Sequence, residues 1–499
     1  MTNPILLPIL GLFLLVSCNS NKEEALRYKT LIVVLDGMRP DYISEENTPF
    51  LYKMKQDGVY NEDHHATFPS VTRVNSSSYA TGAFPQTHGL LGNSIYLAEV
   101  STEKVINTGN AQELMEAGEK LSGGLLTTSS FGEILEEAGL KYMVFSTGTT
   151  GQSFLLNHLT KGGGLVNPDL FMPEDLKVEL TEKLGTIPEK ETPNEERHKW
   201  VVEAFKALAF EEHGPDVCTM WLSDPDGTAH TYGVGAPETL SVMQFLDGQV
   251  RDIWEHVDSI GWQDRFHLII TADHGFVTHE GNPGLENWLK EKGIEAKVAG
   301  GAIYLEDEKQ KEEVVAGLQG EPWVGALFTT GKENGSWAGS VQGTLSFEAI
   351  QWGHRERKSS ILVDMNWSDE TNEFGFKGYS NNNGVAGHGS SSPYEMHPPL
   401  MAIGPLFKEK FPNKAPTAIV DILPTVLKLH GIAPAKEKEG RIMSEILKDN
   451  GGDLPDYHVD TIFVESTHSW GTYSLGVVIK NVGNHFYMDH TFTSRGLIP

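Results

Sequence analysis

Apolar residues along this chain follow two spacings, and the two alternate. Leu31-Ile32-Val33-Val34-Leu35 is a continuous apolar run, β-branched at its centre, and reads as a strand buried on both faces of a sheet. Similar runs at Tyr142–Phe145, Val217–Leu222, Phe266–Ile270 and Leu400–Ile403 predict further strands. Helical spacing fills the intervals. Thr48-Pro49 starts a helix with Thr48 as N-cap and Gly58 just past its end. Pro237 opens another, on which Val242, Leu246, Val250, Ile253, Trp254 and Val257 share a face. Pro424 opens a third, closed by Gly431. Strands alternating with helices predict an α/β fold, a mostly parallel central sheet flanked by helices. Ligands of such sheets bind outside the carboxyl ends of the strands. Asp36, Asp226, Asp273 and His274 all follow such ends.

Two segments depart from the alternation. Residues 173–199 are charged and contain prolines, and read as a surface excursion. Residues 282–383 carry a strand signal at Ala302–Leu305, a helix signal at Glu306–Leu318 and many Gly, Asn and Trp residues. They predict an inserted subdomain beside the site. At the amino terminus Ile5–Val16 is almost wholly apolar, too short to span a bilayer comfortably but suited to a signal-peptide core. It ends in Leu15-Val16-Ser17-Cys18, which resembles a bacterial lipobox. The expected organisation is a signal peptide over 1–17, a linker over 18–28 after a lipidated Cys18, and a catalytic domain over 29–499. No Lys or Arg precedes the apolar run, so an uncleaved anchor is the alternative. Both readings export the chain, as a membrane-anchored protein of the periplasm or cell surface.

Charge narrows the partners. The 499 residues hold 39 basic and 68 acidic side chains, a formal net charge of -29. Such a surface repels duplex nucleic acid and bare anionic membrane, leaving an N-terminal lipid as the only expected membrane contact. A small phosphorylated substrate would need a strong local positive source, and a metal ion supplies one. The only cysteines are Cys18 and Cys218, too few for a thiolate metal cluster, and Cys218 lies in a strand that reads as buried.

The stretch Phe68 to Gly82 is rich in hydroxyls and nearly free of charge. Pro69 biases Phe68 towards extended backbone, and the run after it reads as a loop delivering Thr72 to a helix start. Free N–H groups and the helix dipole gather anions there. By itself this is also a plain Ser/Thr-rich turn. Asp36, Asp226, His230, Asp273, His274 and His388 add carboxylates and imidazoles, each after a buried strand or in a Gly turn, and both types ligate zinc well. Singly each has a structural reading, since Asp before Gly is a common turn former. Gly275 is expected to give the Asp273-His274 turn its backbone freedom. The remaining histidines near the motifs, His64, His65, His88, His279, His354 and His397, are not assigned to metal.

Taken in order, these motifs resemble the alkaline phosphatase superfamily, and most of all its type I phosphodiesterase/nucleotide pyrophosphatase branch. The resemblance rests on Val34-Leu35-Asp36-Gly37, Pro69-Ser70-Val71-Thr72, Thr81 to Gly89 with Gly92-Asn93, Asp226 to His230, Thr271 to Gly275, Gly387-His388-Gly389 and Val420 to Thr425. It spans about Lys29 to Ile432 and implies two zinc ions. Asp226, His230 and His388 would hold one, and Asp36, Asp273, His274 and the Thr72 oxygen the other. Thr72 would be the nucleophile, passing through a phospho-threonine intermediate, and Asn93 would donate to a non-bridging phosphoryl oxygen. Thr67-Phe68-Pro69-Ser70 also fits the branch's usual Thr-Phe-Pro-Asn start, which makes Thr67 a rival. Pro69 to Asn75 resembles instead the nucleophile loop of phosphonoacetate hydrolases in the same superfamily and favours Thr72.

The implied activity is zinc-dependent hydrolysis of phosphate diesters or pyrophosphates. The alternatives are a phosphonate hydrolase or phosphomonoesterase on the same fold, or a surface lipoprotein with structural metal only. A sulfatase would need a modifiable Cys or Ser in a Cys/Ser-x-Pro-x-Arg motif, which Thr72-Arg73-Val74-Asn75-Ser76 does not offer. Asn93, a neutral donor, suits a diester. Arg73 would shift the preference towards dianionic monoesters if its side chain turned into the site.

Overall fold

The computed structural model describes residues 27–211, 213–333, 335–435, 437–449 and 454–497. The signal-peptide core, the lipobox with Cys18 and most of the expected 18–28 linker lie outside the described residues. At the centre is a nine-stranded sheet. Its strands, in chain order, are β1 (Lys29–Leu35), β2 (Val59–Asn61), β3 (Tyr142–Ser146), β4 (Gly164–Asn167), β5 (Leu170–Met172), β6 (Val217–Leu222), β7 (Phe266–Thr271), β8 (Leu400–Ile403) and β9 (Phe411–Asn413). Their spatial order is β9-β2-β8-β7-β1-β6-β3-β4-β5. The block from β7 to β4 is parallel throughout. This is the expected α/β sheet.

The unbroken apolar run of β1 has a direct cause. Leu31, Val33 and Leu35 enter one core with the helices Glu195–Ala209 and Pro237–Ser259, while Ile32 and Val34 enter another on the opposite face. The second core includes Tyr79 and Ala80 of the helix Thr72–Thr81. Both faces of the strand are therefore dry, and alternation with polar residues has no place. The helix Pro49–Asp57 begins and ends where its signals predict, but Thr48 does not cap it with its side chain. Asp247, from the long helix Pro237–Ser259, accepts the Phe50 and Leu51 N–H groups instead.

One strand departs from the parallel majority, and two expectations need correction. β8 belongs to the sheet but runs antiparallel to β7, so Gly404 at its end lies beside Phe266 and His267, at the edge away from the site. Residues 173–199 are not a bare excursion: they contain the helix Asp175–Leu184 and the start of the core helix Glu195–Ala209. The helix expected to open at Pro424 begins two residues earlier, over Ile422–Leu429.

Residues 282–383 build a five-stranded sheet of their own, in the order Ala296–Ala299, Ala302–Leu305, Ile361–Met365, Val324–Thr329, Leu345–Ser346. Ile303, Leu327, Ile361 and Val363 pack there against the helices Leu285–Glu291 and Lys311–Gln319. After the last core helix comes a three-stranded antiparallel sheet, Tyr457–His468, Gly471–Val482 and His485–Leu497, which the sequence reading did not predict. It fastens the inserted sheet through Tyr473 Oη to the Gly325 carbonyl and Arg495 to the Val324 carbonyl.

Candidate active site

The central strand β1 pairs on one side with β6 and on the other with β7, all parallel. Leu35 lies level with Leu222, and Val34 with Thr271. The three strands therefore stop at one edge and release Asp36, Asp226, Asp273 and His274 into the same space. Asp226 starts the helix Asp226–Tyr232, which puts His230 four residues on and on the same face. His388 follows the short strand Ala386–Gly387, whose partner Val277–His279 follows the Asp273-His274 turn. Thr72 is the first residue of the helix Thr72–Thr81 and is buried. All six ligand candidates and the hydroxyl predicted from the sequence are thus brought together.

Tight backbone approaches close the site. At Gly37 (φ +73°) a Cβ would stand 3.1 Å from the Asp226 Cβ, and the Gly37 N–H donates to Asp273 Oδ1 at 3.2 Å. Gly275 is required for a different reason from the expected one. Its φ is not positive, but a Cβ there would lie 2.0 Å from the Tyr394 carbonyl oxygen.

The histidines show what the cluster is built to hold. His230 Nδ1 is bonded to the Ala386 carbonyl at 2.8 Å, His274 Nδ1 to that of Gly275 at 2.9 Å, and His388 Nδ1 to that of Ser70 at 2.8 Å. A carbonyl only accepts, so each Nδ1 carries the proton and, in the neutral ring, each Nε2 presents a bare lone pair. Those Nε2 atoms face carboxylates. His230 and His388 lie 3.3 and 3.2 Å from Asp226 Oδ1, and His274 lies 3.1 Å from Asp273 Oδ2 and 3.5 Å from Asp36 Oδ1. The three carboxylate oxygens are buried and receive no hydrogen bond. Acceptors facing acceptors repel one another unless a cation lies between them. The donor set, imidazole nitrogen and carboxylate oxygen, fits zinc.

The electrostatics agree. Burial, with the Asp273 and Asp226 carboxylates, raises Asp36 well above the usual carboxylate range, against an indole hydrogen bond from Trp221 at 2.9 Å. Burial, reinforced by Asp226 and opposed by His388, raises Asp273 to about 7. Burial also works against the charge of Asp226, but His230 and His388 outweigh it and hold that carboxyl low. Burial depresses His274 and His388, whose rings stack 3.6 Å apart. His230 is raised despite its burial, because Asp226 faces it; with 44 % of its side chain exposed, it marks the open side of the site.

Thr72 Oγ1 lies 3.2 Å from His274 Nε2, at the edge of the cluster. Thr67 is fixed elsewhere: its N–H and carbonyl are bonded to the Asn75 side chain, and no hydrogen bond joins its hydroxyl to the ligand candidates. Asn93 Oδ1 accepts the Arg73 N–H at 3.1 Å, which leaves its amide nitrogen as the donor. Two openings border the loop and helix that carry Thr72. A groove of about 730 Å³ runs from Phe68, Asn93 and His388 to the inserted sheet. A smaller cavity of about 120 Å³ is lined by Asp36, Thr72, Arg73, Thr147, Thr149 and Lys190. Lys190 belongs to the segment read as a surface excursion, so that segment borders the site.

Three supporting residues escaped the sequence reading. Ser70 stitches the loop before Thr72 to the His388 loop, donating to the Ser390 carbonyl and accepting from the Gly389 N–H. Trp221 orients Asp36, and the Ala386 carbonyl orients His230. None carries a sequence signal, because each acts through a long-range contact. His65 and His397 meet Asp63 and Asp489 in a further cluster, but the Lys480 ammonium lies 2.6 Å from both carboxylates and already serves as its cation.

Fold and site together define a member of the alkaline phosphatase superfamily. More narrowly, the chain belongs to the type I phosphodiesterase/nucleotide pyrophosphatase family, whose model matches residues 30–329. Bovine bis(5'-adenosyl)-triphosphatase ENPP4 is 24% identical over 274 residues, 55% of this chain and 53% of the relative. Human ENPP4 is 22% identical over 427 residues, 84% of this chain and 82% of the relative. Human ectonucleotide pyrophosphatase/phosphodiesterase family member 1 is 24% identical over 249 residues, 49% of this chain and 23% of the relative. The chain thus spans about half of the bovine relative and less of the human family member 1. Among solved structures, murine ENPP5 superposes with a TM-score of 0.60 at 17% identity, over 84% of this chain and 100% of that one. A variant of the alkaline phosphatase PafA gives 0.65 at 16% identity, over 84% and 99%. These superpositions establish the fold.

Proposed function

We propose that the chain is an exported hydrolase of phosphate diesters or pyrophosphates that holds two zinc ions and uses Thr72 as its nucleophile. The observation that carries this reading is the set of three imidazoles whose bare Nε2 atoms face three carboxylates without a proton to share. Asp226, His230 and His388 would hold one ion, and Asp36, Asp273 and His274, with the Thr72 oxygen, the other. When bound, the pair would supply the positive charge that turns a hydroxyl into a competent nucleophile and eases departure of the leaving oxygen.

The chain's own residues do the rest. The helix start fixes Thr72 Oγ1 beside the cluster, and the Val71–Asn75 backbone bond holds that turn. Asn93, locked by the Arg73 N–H, offers its amide donor to a non-bridging phosphoryl oxygen. The groove between Asn93, His388 and the inserted sheet has room for the organic part of a substrate such as a nucleotide. The relatives named for bis(5'-adenosyl)-triphosphatase and nucleotide pyrophosphatase activity support a phosphate ester or anhydride as substrate. Export rests on the apolar Ile5–Val16 run and the Cys18 motif, with the lipid on Cys18 as the anchor.

A soluble form should be assayed on an aryl phosphodiester, an aryl phosphomonoester, an aryl sulfate, a nucleotide and a phosphonate. Hydrolysis of the diester and the nucleotide without the sulfate is expected. Turnover of none of the phosphorus compounds would refute the reading.

A further inference from the structure

Arg73 is the cation next to Thr72 in the chain, and the described residues leave its guanidinium unused. Its backbone N–H binds Asn93, but no side-chain nitrogen of Arg73 makes a hydrogen bond or an ion pair among them, and Nε is buried without a partner. The Asp36, Asp226 and Asp273 carboxylates nevertheless lie near enough to favour its charge. It lines the small cavity shared by Thr72, Asp36, Asp226, Thr147 and Thr149, with Lys190 at the rim. Space has been kept for it: a Cβ on Gly109 would come within 2.6 Å of Arg73 Nη2. A guanidinium that only balanced the cluster would pair with a carboxylate, as Arg441 pairs with Glu445 at 2.7 Å. Arg73 instead lines, with its planar fork of donors unpaired, the small polar cavity that Thr72 also lines.

We propose that Arg73 is a specificity residue that receives the second negative charge of a dianionic phosphoryl group, so that the site also hydrolyses phosphate monoesters. This rests on the two-zinc reading above and deepens it. A diester brings one negative charge, for which the neutral Asn93 donor suffices. A terminal phosphate brings an extra anionic oxygen, which the guanidinium meets with paired N–H donors. In the reaction Thr72 Oγ forms its bond to phosphorus as the ester oxygen leaves with its electron pair. The Thr72 proton ends on the departing alcohol, and water then releases inorganic phosphate and restores the hydroxyl.

The test compares the wild type with Arg73→Gln and Gly109→Ala, both zinc-loaded. Inorganic phosphate binding is measured by calorimetry, and kcat/KM is measured on an aryl phosphomonoester and its methyl phosphodiester. Arg73→Gln should lower phosphate affinity and monoester kcat/KM on the order of 10–100-fold, the loss of charge-assisted hydrogen bonds, with a much smaller effect on the diester. Gly109→Ala keeps the charge but crowds the guanidinium, and should move the same two quantities in the same direction. Equal loss on both esters with unchanged phosphate affinity would make Arg73 a structural residue and overturn the proposal, as would a wild type that neither binds phosphate nor cleaves the monoester. Phosphate affinity that falls in Arg73→Gln while the wild type cleaves no ester would sink the hydrolase reading and leave the role of Arg73 in anion binding standing.

Discussion

Each imidazole of the cluster spends its Nδ1–H on a backbone carbonyl, and that choice aims three Nε2 lone pairs at one space. The consequence is selective. His388→Ala should release one zinc preferentially, the one shared with Asp226 and His230, and elemental analysis should find about one ion where the wild type holds about two. Loss of both ions, or of neither, would break the assignment. Asn93 is held by the Arg73 N–H and offers its amide NH2 group as donor. Asn93→Ala should therefore cost roughly 2.7–4 kcal/mol of transition-state stabilisation, read as kcat/KM on an aryl diester. An unchanged kcat/KM would remove Asn93 from the site. These residues were legible in the sequence because each stands at a strand end or in a Gly turn. Ser70 and Trp221 were not, because their partners Gly389 and Asp36 lie far off in sequence.

At the scale of elements, the parallel strands β1, β3, β6 and β7 announced themselves as continuous apolar runs, while the short β4 did not, and β1 shows why: its alternate residues enter two different cores. The same signal gives no strand direction, and nothing in the Leu400–Ile403 run shows that β8 runs against β7. The carboxy-terminal sheet was missed although its strands alternate and Gly483 sits at the turn with φ +58°. Its edge strand Tyr457–His468 is exposed along most of its length and carries little apolar periodicity. Yet this sheet is fastened beneath the nucleophile loop, where Asp489 is bonded to His65 at 3.0 Å and His397 at 2.9 Å and pairs with Lys480 at 2.6 Å. Burial works against the Asp489 charge, but those partners and His490 hold its carboxyl far below the usual range. Removing it leaves Asp63 as the one carboxylate facing Lys480 and His65, and takes the anion from His397 and His490. Asp489→Ala should cost about 3–5 kcal/mol of stability, measured by denaturant unfolding. A loss under ~1 kcal/mol, the value of a surface pair, would show that the network contributes little.

For the whole molecule, the acidic surface and the acidic centre point the same way. With a net charge of -29, the chain gathers anions only where a cation is held. The metal-free site should accordingly respond to pH. Asp273 is raised from 3.8 to about 7 in the folded chain, so the folded state binds this proton more tightly than the unfolded state. Its contribution is full below pH 3.8 and is lost as pH rises towards about 7. The Tm of chelator-treated protein should fall across that window, and zinc should abolish the fall while releasing protons on binding. A metal-free Tm that rises throughout the window would contradict this electrostatic account.

The central claim is that Thr72 acts at a two-zinc centre on a phosphate ester. It is tested most directly by titrating zinc into the metal-stripped wild type and Thr72→Ala while following hydrolysis of an aryl phosphodiester. Wild-type activity should reach its plateau at about two zinc equivalents. Thr72→Ala should stay folded, keep most of its zinc and lose several orders of magnitude in kcat, because a nucleophile acts in the chemical step. A plateau reached without zinc, or near-normal turnover by Thr72→Ala, would contradict the account, and the second result would move the nucleophile's role first to Thr67.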